Sequence, residues 1–91
     1  MNMKHVSIHV VGMVQGVFFR ASTKEKADEF SIKGTVRNNV DGSVSIEAEG
    51  EGENLELFIG WCKHGPKFAN VDRCEVSEKP LQHFKNFAIE R

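Results

Sequence analysis

From His5 to Val11 apolar and polar side chains alternate, with Val6, Ile8 and Val10 on one side and Ser7 and His9 on the other. A period of two marks a half-buried strand, and it puts His5 and His9 on the solvent face. The period then changes. Phe19, Thr23, Ala27 and Phe30 recur at spacings of four, four and three, which is the stripe of an amphipathic helix. Two starts are open to this helix. Ser22-Thr23-Lys24-Glu25 has the form of a capping box that would begin it at Ser22, whereas a start near Phe19 would aim the first-turn N–H groups back into the preceding loop. Ser31-Ile32-Lys33-Gly34 ends it, with Gly34 available for a left-handed or turn conformation.

Thr35 to Asn38 reads as a second strand, and Asn39-Val40-Asp41-Gly42 as a turn, since Asp-Gly supplies the positive φ that hairpins need. Ser43 to Gly50 alternates again, with Val44, Ile46 and Ala48 inward and Ser45, Glu47 and Glu49 outward. Gly50-Glu51-Gly52 breaks that strand. A second helix follows from about Glu53 to His64, where Leu55, Phe58, Ile59 and Cys62 fall at i, i+3, i+4 and i+7 and Leu57 and Trp61 widen the face. Gly65-Pro66 stops it. Asn70 to Glu78 reads as a strand, Lys79 to Asn86 as a polar loop, and Phe87-Ala88-Ile89 as a short final strand. The order β-α-β-β-α-β is that of the split β-α-β, ferredoxin-like arrangement. It predicts an α+β two-layer sandwich, a mainly antiparallel sheet with both helices on one face.

Composition narrows this only a little. Ninety-one residues suit one domain over 1–91, which buries roughly 60–70% of its unfolded surface. Seven Phe and one Trp in a chain that is 40% hydrophobic are enough for a core. The net charge is −1, with acids and bases interspersed. That leaves no basic stripe for nucleic acid and no polybasic patch for a membrane. Cys62 and Cys74 lack CxxC spacing and read as two buried thiols. No signal peptide or long apolar span is visible, so the expected compartment is the cytoplasm.

The candidate chemistry lies in Gly12-Met13-Val14-Gln15-Gly16-Val17-Phe18-Phe19-Arg20. A strand, a glycine-containing loop and a helix N-terminus direct several backbone N–H groups at one spot, and that spot favours an anion. Arg20 adds a fixed charge and a planar fork of donors suited to phosphate or carboxylate. The plainer alternative makes Gly12 and Gly16 turn glycines and Arg20 a solvated helix residue.

A second motif, Gly34-x-Val36-x-Asn38 followed by Asp41-Gly42-x-Val44, changes the balance. The two together, in this order and on this fold, resemble the acylphosphatase family, a likeness that extends to the Gly50 break, the helix with Trp61, Gly65-Pro66 and Asn86-Phe87-x-Ile89. The chain departs from the family pattern at Phe18, where a small residue is usual, at Thr35, where an aromatic is common, and at Met13, where Arg is frequent. It ends Glu90-Arg91 instead of Arg-Tyr. Phe18 and Thr35 bear on substrate preference and efficiency.

The resemblance implies a small stand-alone hydrolase that cleaves acyl phosphates to a carboxylate and inorganic phosphate. The backbone of Gln15, Gly16, Val17, Phe18, Phe19 and Arg20 would cradle the phosphoryl group, Arg20 would neutralise it, and Asn38 would orient the attacking water. The residues fit that chemistry. A carboxylate leaving group with an unperturbed pKa of ~4–5 needs no proton on departure, so a site without a general acid suffices. No His, Asp and Glu cluster has metal-ligand spacing, and no cofactor or metal is expected. The expected partners are the acyl phosphate and the phosphate product, with the chain a monomer. Asn38 alone could equally be a turn-initiating residue. The competing function is a non-catalytic ferredoxin-like module that binds an anion or metabolite without turnover.

Overall fold

The computed structural model describes residues 2–91. Its elements are β1 (Met3–Met13), α1 (Phe19–Glu29), β2 (Lys33–Asn38), β3 (Val44–Glu51), α2 (Gly52–Cys62), β4 (Asn70–Lys79) and β5 (Phe87–Ile89). The strands form one sheet in the order β4-β1-β3-β2-β5. Every pairing is antiparallel except β2 with β5, where Gly34, Thr35 and Val36 lie opposite Phe87, Ala88 and Ile89. The predicted ferredoxin-like sandwich is therefore observed, with β5 added beside β2.

The apolar positions of the alternating strands meet the helical stripes. Val6, Ile8, Val10, Val36, Val44, Ile46 and Ala48 pack with Phe19, Ala27, Leu55, Phe58 and Cys62 in one core. Phe19 stacks obliquely on Trp61 at 5.7 Å between ring centres, and Phe58 meets Phe87 edge-on at 6.1 Å. Leu57, read as part of this face, is exposed, because its position turns away from the sheet.

Several boundaries move. α1 starts at Phe19, and the Ser22 capping box is not used: the N-cap is Phe18, no side chain caps the helix, and Ser22 N–H already donates to the Phe18 carbonyl at 3.0 Å. Burying the Phe19 ring against Trp61 stabilises by about 1.5–3 kcal/mol, more than the ~1 kcal/mol typical of a cap. At its other end the left-handed residue is Ser31 (φ 59°), not Gly34, which lies inside β2. A Cβ on Gly34 would overlap the Glu47 carbonyl oxygen of β3, so glycine is required there by close strand approach.

Part of the opposite face of the sheet is covered as well. His5 and Glu49, expected to face outward, are only 1% and 2% exposed. Residues 80–86 cross that face as a strap. Glu49 Oε2 accepts the N–H groups of Gln82 (2.7 Å) and His83 (3.2 Å), and its Oε1 that of Phe84 (2.9 Å). Burial raises the Glu49 carboxyl, but these three donors, with His5 nearby, outweigh it and hold the group below its ordinary value. His5 bonds the Pro80 carbonyl and Glu47 through its two ring nitrogens, both at 2.7 Å, and meets Phe84 edge-on. The strap delivers β5 to the edge of β2, where Gly34 N–H donates to Asn86 and Glu90 N–H to Val36.

Candidate active site

The first motif leaves β1 through an irregularity between Val11 and Gly12. Gly12 (φ 139°) is pressed so close to the Asn70 carbonyl that a side chain there would collide with it. Val14 is buried and pins the start of the loop. Gly16 (φ 74°) and Phe18 (φ 61°) are both left-handed, and right-handed helix begins at Phe19. A left-handed residue followed by a right-handed one turns successive N–H groups toward a common point. Among the described residues, the N–H groups of Gln15 to Phe18 donate to no other backbone group, and the first N–H groups of α1 have no intrahelical partner by geometry.

The second motif faces the first. A cavity of about 320 Å³ is lined by Val14, Gln15, Gly16, Phe18, Phe19, Arg20, Ala21, Asn38, Ile89 and Arg91. Of the predicted site residues it brings together Gln15, Gly16, Phe18, Phe19, Arg20 and Asn38; Val17 is not in the lining and packs partly against the core. Two features of the lining stand out chemically. Asn38 Oδ1 is buried and finds no donor among the described residues, an arrangement that costs about 1–3 kcal/mol unless something else satisfies it. Among the described residues the Arg20 guanidinium hydrogen-bonds only the Glu90 carbonyl, at 3.3 Å, and no carboxylate of theirs comes within 4.0 Å of it.

The side chain of Gln15 does something the sequence reading did not foresee. Its Nε2 donates to the carbonyls of Asn39 (2.8 Å) and Ser43 (2.9 Å), tying the glycine-containing loop to the β2–β3 turn that begins just after Asn38. That turn is itself braced. Asn39 Nδ2 donates to the hydroxyls of Ser43 (2.9 Å) and Ser45 (2.7 Å), and Asp41 Oδ1 accepts the Ser43 hydroxyl (2.6 Å) and N–H (3.0 Å). The Ser43 hydroxyl bond, then its N–H bond, hold the Asp41 carboxyl below its usual value. The Asn-x-Asp-Gly-Ser run was a readable turn signal, but nothing local tells which loop docks on it. Ile89 and Arg91, brought in by β5, were likewise missed as lining residues.

The lining side chains include no carboxylate, imidazole or thiol, and no group of three or more His, Cys, Asp or Glu among the described residues could hold a metal ion. Cys62 is buried, and desolvation, then Cys74, pushes its thiol well up. Cys74 is only half-buried, not buried as expected, because the edge strand β4 is covered on one side; desolvation raises it and Lys63 partly offsets this. Thiols so shifted stay protonated and unreactive near neutral pH.

The chain is similar in sequence and fold to known proteins. A family model described as acylphosphatase matches residues 6–89. An acylphosphatase from Methylococcus capsulatus is 42% identical over 98% of both chains. The solved acylphosphatases of Coxiella burnetii and Bacillus subtilis superpose with a TM-score of 0.94 each, at 32% and 36% identity; they cover 98% and 97% of this chain, which covers 94% and 99% of theirs. Both motifs that face each other across the cavity fall inside a match that spans nearly the whole fold, and the chain belongs to the acylphosphatase family.

Proposed function

We propose that this protein hydrolyses acyl phosphates, with the phosphoryl group in the Gln15–Arg20 cradle, Arg20 against its oxygens and the attacking water on Asn38. The observation that carries this reading is that Asn38, whose Oδ1 is buried with no partner among the described residues, lines the same cavity as Arg20, which has no carboxylate partner among them. A pure anion binder has use for the arginine but none for a side-chain amide set beside it in the same cavity. An amide oxygen accepts a hydrogen bond from water and so fixes which lone pair faces phosphorus.

Positioning and charge stabilisation then supply the catalysis, as in phosphoryl transfer generally. The phosphoryl oxygens gain charge-assisted hydrogen bonds from the cradle N–H groups and from the guanidinium. The bond from phosphorus to the acyl oxygen breaks as that from water forms. The departing carboxylate needs no acid. No lining side chain is a base, and the water's proton passes to a phosphoryl oxygen of the substrate itself. Gln15 acts through its backbone N–H on the phosphate and through its side chain on the Asn38 turn.

The chain works as a monomer in the cytoplasm. Its long edge strand β4 carries Asp72, Arg73, Glu75, Glu78 and Lys79, charges that discourage pairing with a second copy. Its two cysteines are free, as suits a reducing compartment. No helix among the described residues is long and apolar enough to cross a membrane.

The test is consumption of benzoyl phosphate by the purified protein with excess chelator present. Hydrolysis well above the spontaneous rate, unaffected by chelator, is expected. A rate equal to the spontaneous one, with inorganic phosphate still bound, would make the protein a binding module.

A further inference from the structure

Phe18 is the least economical residue of the site. It is 81% exposed, belongs to neither the core nor any aromatic pair, and holds a left-handed backbone that glycine or asparagine would adopt with less strain. Fold stability alone therefore gives no reason for an aromatic there. Yet Phe18 lines the cavity, together with Ile89, itself 36% exposed.

The chemistry of the site leaves one role open at that place. In the reading proposed above, the cradle and Arg20 take the phosphoryl oxygens and Asn38 takes the water. The leaving oxygen lies roughly in line with the attacking one, on the far side of phosphorus, so the acyl group cannot sit against Asn38. Among the remaining lining residues Val14 is buried, which leaves Phe18, Ala21, Ile89 and Arg91 to meet it. The side chains of this set are apolar apart from a single guanidinium. A cavity of about 320 Å³ is at the small end of ligand sites, roughly 300–1,000 Å³, and has room for more than a phosphoryl group.

We infer that Phe18 and Ile89 form the subsite for the acyl group, and that the enzyme favours acyl phosphates with an aromatic or bulky apolar acyl part over short ones such as acetyl phosphate. The inference rests on the acyl-phosphate reading of the site. A flat apolar acyl group gains an aromatic contact with Phe18 and can lie against the guanidinium plane of Arg91. A methyl group gains little from either.

The measurement is kcat/KM for benzoyl phosphate and for acetyl phosphate, in the wild type and in Phe18→Asn, Phe18→Gly and Phe18→Tyr. Asn and Gly keep the left-handed turn without the ring, and inhibition by inorganic phosphate reports whether the cradle persists. The expected result is a benzoyl-to-acetyl ratio about tenfold lower in the Asn and Gly variants, the size of one aromatic contact, and retained in Tyr. A ratio unchanged in Asn and Gly, with phosphate inhibition intact, overturns the subsite while leaving acyl phosphate hydrolysis standing. Failure of the wild type to hydrolyse either compound would remove the function and the subsite with it.

Discussion

Gln15→Ala tests the tie between the two halves of the site. The wild-type amide donates both of its protons, to Asn39 O at 2.8 Å and Ser43 O at 2.9 Å. Each such bond is worth about 0.5–1.5 kcal/mol net. Truncation does not strand either carbonyl completely, because Ser43 O still accepts Asn39 N–H at 2.8 Å and Asn39 O accepts Gly42 N–H at 3.2 Å. The loss should therefore stay at about 1–2 kcal/mol, which lowers Tm by roughly 5–15 °C for a domain of this size. Gln15→Glu sharpens the test. It has the same shape, but its carboxylate would face two carbonyl oxygens, so it should lose more stability than Ala at pH 7. In both variants kcat should fall more than phosphate affinity, since the backbone cradle remains while the turn behind Asn38 is loosened. Denaturant unfolding, with kcat and phosphate inhibition on the folded variants, settles this. A Gln15→Glu protein as stable as the wild type would refute the clamp. Phosphate affinity falling in step with kcat would instead make the side chain a phosphate ligand.

Two further perturbations reach other parts of the account. Arg20→Lys should lose most activity and weaken phosphate inhibition together, because an ammonium cannot match two phosphoryl oxygens with a planar fork; steady-state kinetics with near-normal turnover would place the arginine's role elsewhere. Glu49→Gln should cost about 2 kcal/mol at pH 7, since its NH₂ group would face N–H donors of the strap. Because the folded Glu49 carboxyl is lowered, its contribution is complete above the unfolded value of ~4.3 and is lost as pH falls through the folded one. The stability gap between wild type and Glu49→Gln should thus narrow in acid, and a gap constant from pH 7 down to ~3 in urea titrations would contradict the anchoring role.

Local periodicity was sufficient for the architecture because each strand buries one face and each helix one stripe; Val44-x-Ile46-x-Ala48 and Phe58 with Cys62 could hardly be read otherwise. What it missed is non-local. Alternation placed His5 and Glu49 correctly on the second face of the sheet, but no period in residues 80–86 announces that this polar segment will cover them. The Ser22 capping box was a genuine local signal, overridden by burial of Phe19 against Trp61. In the site, the glycine pattern and Arg20 pointed to the cradle, and the family resemblance pointed to Asn38. The Gln15 clamp and the Ile89 and Arg91 contributions depend on which loop meets which strand end, and that is decided by tertiary contact.

The central claim is that Asn38 serves turnover and not binding, and Asn38→Ala separates the two. Loss of a preorganised polar group that acts only on the attacking water should lower kcat for benzoyl phosphate by on the order of 10²–10³, about 3–4 kcal/mol. The fold should persist, since Oδ1 makes no bond to the described residues, and the affinity for inorganic phosphate, read by calorimetry on the folded variant, should change little. An equal fall in rate and phosphate affinity would make Asn38 a binding residue, and unchanged turnover would remove it from the reaction.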